Sequence, residues 1–167
     1  MTLPEQCAIL LAAIEQEILQ AGDLIQWADS IIVAMEKPPA WIIELSTLYS
    51  PLTIDFASRL RAQASAPLPV SRRIQIIVLA YNSGLLSLPD TLSRLFRVMM
   101  VRGMRPPATD PLDRRLVDAL HDWDEQDDLD VVELPLQAKF RELFREYRTN
   151  ADDIIAILPW KFGGEGR

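Results

Sequence analysis

Apolar residues recur at three- and four-residue spacing through most of the chain, and the interruptions carry the chemistry of helix ends. Ile9, Leu10, Ile14 and Ile18 set the first stripe, with Glu15 and Glu17 outside it, and predict a helix over residues 4–21. Gly22 suits a left-handed helix stop. Asp23, with Gln26 three residues on, offers an N-cap and capping box, so a second helix is expected from Leu24 through Ala28, Ile31 and Met35. Pro38 and Pro39 then remove two backbone donors and fix φ, which ends that helix and sets Pro39 as the first residue of the next. Trp41, Ile42 and Leu45 point back into the same core. Residues 23–45 hold two of the four tryptophans and are the expected organising corner of the fold.

The remaining stripes follow the same punctuation. Ser50-Pro51 opens a helix with Leu52, Phe56 and Leu60, and residues 66–69 form a loop. Ser71 caps a helix carrying Ile74, Ile77 and Tyr81, closed by Asn82-Ser83-Gly84. Ser87 and Asp90 bracket the start of a helix with Leu92, Leu95, Phe96 and Met99, and Arg105-Pro106-Pro107 closes that segment. Asp110-Pro111 starts a helix with Leu112, Leu116, Leu120 and Trp123. Leu136, Phe140, Leu143, Phe144 and Tyr147 make the cleanest amphipathic stripe, and a short helix over 151–158 precedes a Gly-rich end. The only β-leaning run, Val131-Val132-Glu133-Leu134, has no partner strand, so no sheet is expected. The predicted fold is all-α: one domain over residues 1–160, seven or eight helices in an orthogonal bundle or short solenoid, and a flexible tail over 161–167.

Composition narrows the picture. A chain of 167 residues can hide roughly 70% of its extended surface in one core. Cys7 is the only cysteine, which excludes an intrachain disulfide and suits a reducing cytosol. No basic residue precedes Lys37, the wrong charge order for a secretory signal, and the apolar run over 7–14 is too short to span a bilayer. The expected compartment is the cytoplasm, with no membrane association. Net charge is −7 and arrives in blocks. Residues 67–110 carry six basic and two acidic side chains, whereas 111–134 carry two and nine. An acidic chain repels a nucleic-acid backbone, so nucleic acid is not an expected partner.

Catalytic signatures are lacking. His121 has no nucleophile nominated beside it, and helix-end solvation accounts for it. Cys7 reads as a small buried hydrophobe. No Ser-x-x-Lys, G-x-S-x-G, H-E-x-x-H or P-loop pattern occurs. Residues 122–133 align with a twelve-residue calcium loop through Asp122, Asp124, Gln126, Asp128, Asp130 and Glu133. Asp127 stands where that loop needs glycine, however, and Pro135 interrupts the exit helix, so no metal or other cofactor is expected. The same run supplies the candidate partner-binding residues Asp122, Asp124, Glu125, Asp127, Asp128 and Asp130, a negative patch suited to a basic protein surface.

Trp27-Ala28-Asp29 followed by Pro38-Pro39-Ala40-Trp41-Ile42-Ile43-Glu44-Leu45-Ser46 resembles small helical bacterial proteins of immunity type, some of them thought to neutralise a polymorphic toxin. The resemblance spans residues 27–46 and implies a bacterial, protein-binding role without assigning any site residue. The leading expectation is a non-enzymatic module that docks a basic protein partner through an acidic face. The alternative is a helical enzyme or small-ligand protein with an interhelical pocket, lined by Trp27, Trp41 or Tyr81 and using an arginine from Arg94, Arg97, Arg102 and Arg105 for an anion. A self-associating scaffold is a third possibility.

Overall fold

The computed structural model describes residues 1–48, 53–64, 66–100, 110–126 and 132–163. Those residues form ten helices and no strand: α1 (Leu3–Glu15), α2 (Ala21–Ala34), α3 (Ala40–Ser46), α4 (Thr53–Gln63), α5 (Val70–Asn82), α6 (Leu88–Met100), α7 (Pro111–Asp124), α8 (Leu134–Arg148), α9 (Asp152–Ile157) and α10 (Pro159–Phe162). Ten exceeds the expected seven or eight: the short helices α3 and α9 stand where the stripes place them, and four-residue α10 is a further piece that no stripe announces. No described helix is long and apolar enough to cross a membrane.

Every helix contributes to one buried apolar cluster, and α5 is its axis. All seven residues over 74–80 are buried, and the helix packs against α1, α6, α8 and α10. A helix that is apolar all round has to be surrounded. Its one buried polar side chain, Gln75, is satisfied by donating to the Asn150 carbonyl at 3.3 Å and accepting from Arg72 at 2.7 Å. The organising element is therefore α5, while the 23–45 corner is a peripheral pair, α2 on α3, that adds Leu24, Trp27, Ile42 and Leu45 to the core.

Several predicted ends move by a few residues for identifiable reasons. The first helix stops at Glu15, and α2 already begins at Ala21. Asp23 is the third residue of α2, and its Oδ2 accepts from the Gln20 N–H at 2.8 Å; it closes the helix start from inside rather than capping it from outside. Pro39 and Pro69 occupy the N-cap positions of α3 and α5, so Pro39 precedes its helix and Ser71 sits inside its own. The Asp110 cap of α7 holds, with the carboxylate accepting from Leu112 N–H at 2.8 Å, as does the Ser87–Asp90 bracket of α6. Val132 and Leu134 belong to the approach to α8 and its first residue. At the far end α10 takes in Lys161 and Phe162, which the tail boundary had excluded; Phe162 is 2% exposed and Lys161 Nζ reaches Asp23 at 3.0 Å. The punctuation at Ser50-Pro51 and at Arg105-Pro106-Pro107 lies outside the described residues.

Candidate functional site

The acidic block is built on α7. Leu116, Ala119, Leu120 and Trp123 bury one stripe of the helix, and the ring of Trp123 meets that of Phe96 edge-on at 6.3 Å. That stripe fixes where every other side chain of α7 can point. With 3.6 residues per turn, Asp118 and Glu125, seven residues apart, share the side away from the core with Arg114 and His121. Asp122 lies on one flank, and Asp124, two residues on, lies on the other. All four carboxylates are exposed, so the acids encircle the end of α7 rather than forming a flat face. Asp127, Asp128 and Asp130 lie outside the described residues.

Antiparallel α8 supplies one cation to this acidic block and engages one cation of α7 in return. Lys139 Nζ donates to Asp122 at 2.7 Å, and Arg115 donates to Glu146 at 2.7 Å and to Glu142 at 3.4 Å. Deeper in the seam the Tyr147 hydroxyl donates to Asp113 at 2.6 Å. Burial pushes the Asp113 carboxyl above its usual value, the Tyr147 bond pulls it back, and nearby Asp110 raises it further. Burial, and then the Asp113 carboxylate, push the Tyr147 phenol well above its ordinary value. Among the described residues Asp118, Asp124 and Glu125 have no ion-pair partner, whereas Glu15, Asp23, Glu44, Glu146 and Asp153 each face a basic side chain. Asp118 lies one to two turns before these carboxylates on the same helix, although the acidic run over 122–133 leaves it out. Its signal is the helical step from Asp118 to Asp122 and Glu125 on the side facing away from the apolar stripe.

The other candidate residues are dispersed over the fold. Asp124 is helical where a calcium loop needs loop backbone at its third position, and no group of three potential metal ligands converges among the described residues. His121 is exposed in the last turn of α7. Cys7 is fully buried, and burial pushes its thiol up to about 12. Trp27 is 1% exposed, donates Nε1–H to Gln6 at 3.0 Å and packs against Trp41 at 6.3 Å; Tyr81 meets Phe144 edge-on at 5.3 Å. Trp27 is core, Trp41 and Tyr81 are half-buried against it, and none of the three borders the two surface clefts beside the 66–69 segment. Arg94 donates to the Gln16 carbonyl and stands 3.5 Å from Glu17, exposed Arg97 shares its helix, and Arg102 and Arg105 lie outside the described residues. Two surface clefts lie elsewhere, on either side of the 66–69 segment where it crosses α1 at Ala8. One, of about 430 Å³, is bordered by Glu5, Arg72 and Asp153, and the other, of about 340 Å³, by Glu15, Arg61 and Arg73.

No family model matches the chain, and neither a curated protein nor a solved structure matches it.

Proposed function

We propose that the protein is a non-enzymatic binding module that docks a basic protein partner through the carboxylate-rich end of α7, in the manner of a toxin-neutralising immunity protein of a bacterial cytoplasm. The observation that supports it is where the carboxylates sit. A helix C-terminus already carries a negative partial charge, and each carboxylate added there raises the energy of the helix by about 0.3–1 kcal/mol. Yet α7 places Asp122 and Asp124 in its last turn and Glu125 at its C-cap, with His121 the sole basic residue of that turn. A lysine or arginine from a partner would meet both the carboxylates and the helix dipole. Electrostatic conflict kept at an exposed position is characteristic of a surface selected for binding rather than stability. The scaffold this reading assumes is one domain of orthogonally packed helices.

The test compares wild type with the triple variant Asp118→Asn, Asp124→Asn, Glu125→Gln in pull-downs from the source cell at low and moderate salt. A basic protein retained by wild type and lost by the variant is the expected result. Equal retention by both, or recovery of no protein at either salt, overturns the reading.

A further inference from the structure

We infer that the cleft between α1, the end of α4 and the start of α5 binds a small carboxylate with an apolar body. At about 340 Å³ it falls within the size range of ligand sites, about 300–1,000 Å³. Leu11, Ala12 and Leu68 give it an apolar wall and floor, and its charged border consists of Glu15, Arg61 and Arg73. Arg73 is held in place before any ligand arrives: its Nε–H donates to the Leu68 carbonyl at 3.2 Å and its side chain is only 19% exposed. Its Nη1 donates to Glu15 at 3.1 Å, and Arg61 approaches the same carboxylate at 3.7 Å from a side chain that is 63% exposed.

Two guanidiniums therefore share one carboxylate. Each carries five N–H donors, so Glu15 leaves the border with unspent donors and a charge of +1. Glu15 is itself poorly placed to hold them. It is the last residue of α1, a turn without a basic side chain, where the helix dipole disfavours a negative charge. A free carboxylate can displace it on Arg73 and Arg61, and an apolar tail then covers Leu11, Ala12 and Leu68. The charge selects a monoanion and the wall selects hydrocarbon or an aromatic ring. A ligand with only one of the two features forgoes the contacts of the other. This inference is independent of the reading of α7, since none of its residues lies on that helix.

Titration calorimetry with octanoate and phenylbutyrate on the full chain tests it, with acetate and octanol as ligands that lack the tail or the charge. Octanoate and phenylbutyrate are expected to bind while acetate and octanol do not. Glu15→Gln, which removes the competing carboxylate, is expected to tighten octanoate binding several-fold. Arg73→Gln is expected to weaken it at least about tenfold, the loss of a charge-assisted contact. Arg61→Gln, at an exposed position that leaves folding intact, is expected to weaken it less. N-acetyl-leucine and its amide decide the source: tighter binding of the acid than of octanoate assigns the cleft to a peptide C-terminus, and the reverse assigns it to a fatty or aryl acid. The inference is overturned if neither wild type nor Glu15→Gln binds octanoate at millimolar concentration, or if octanol binds as well as octanoate. It is overturned equally if Arg73→Gln, folded by circular dichroism, binds octanoate undiminished.

Discussion

Glu17 and Gly84 do the same backbone work with unequal side chains. Each is the left-handed residue that ends a helix, at φ +55° and +70°. After α1, Glu17 N–H bonds Ile14 O at 2.8 Å and Ile18 N–H bonds Ala13 O at 2.9 Å; after α5, Gly84 and Leu85 repeat the pattern on Tyr81 and Ala80. Glycine adopts that conformation freely, whereas a side chain bearing Cβ costs roughly 1–2 kcal/mol there. The Glu17 carboxylate is 79% exposed and 3.5 Å from Arg94, so the ion pair it forfeits contributes little. Glu17→Gly is therefore expected to raise unfolding stability by about 0.5–1 kcal/mol, after the extra freedom glycine gives the unfolded chain. A urea midpoint that rises at unchanged slope is the readout; an unchanged or lower midpoint would show that the Arg94 contact outweighs the strain. Asp113 gives the pH counterpart. Its folded carboxyl lies above the ordinary aspartate value of 3.8, so the folded protein holds that proton to higher pH than the unfolded chain does. Stability from this group is greatest below 3.8 and is lost as pH rises through the folded value. Asp113→Asn keeps an acceptor for the Tyr147 hydroxyl and does not titrate. Its stability relative to wild type should grow across that window and then level off, and parallel melting curves over the whole acid range would refute the assignment. Tyr147→Phe, which leaves the half-buried carboxylate without its donor, should cost about 1–2 kcal/mol at neutral pH.

Among the elements, the smallest is the most informative about anchoring. Four-residue α10 has almost no helical stability of its own and is held by Phe162 in the core and by Lys161 on Asp23, whose side chains are 17% and 15% exposed. Phe162→Ala is expected to cost about 3 kcal/mol and to free the segment after Leu158, seen as lost amide protection over α10. A cost below about 1 kcal/mol would mean that the surroundings collapse onto the vacancy. Helix existence was legible because apolar spacing is local: the stripes of α6, α7 and α8 and their Ser, Asp and Pro punctuation stand in the sequence as they do in the fold. Centrality was less so. The run Ile74, Gln75, Ile76, Ile77, Val78, Leu79, Ala80 looks like one more amphipathic helix if only Ile74, Ile77 and Tyr81 are counted, whereas its continuity is the mark of a helix enclosed on all sides. The charged border of the cleft was not legible at all. Glu15 and Arg73 are 58 residues apart, and only the packing of α1 on α4 and α5 brings them together.

Among the described residues, basic side chains join one helix to another. Arg59 ties α4 to α3, Arg72 and Arg73 tie α5 to α9 and α1, Arg115 and Lys139 tie α7 to α8, and Lys161 ties α10 to α2. Among the described residues several exposed carboxylates stay outside these pairs, Glu36, Glu133 and Asp152 among them, and the end of α7 gathers Asp118, Asp124 and Glu125 on one helix. Such a field draws in a cationic partner and can speed association towards about 10⁸ M⁻¹s⁻¹ at low salt. At 0.1 M salt the screening length is only about 10 Å, so the same steering fades. The helix dipole and the proposed docking role make opposite demands on the same residues, which gives a test that a merely solubilising patch would not pass. In the variant Asp124→Lys, Glu125→Lys each replacement adds two charges, taking the net from −7 to −3, and places cations where the dipole favours them. Stability should rise by about 0.3–1 kcal/mol per site, while association with the captured basic partner slows and its salt dependence flattens. Unchanged stability would remove the dipole argument; higher stability with undiminished capture would move the docking surface off α7.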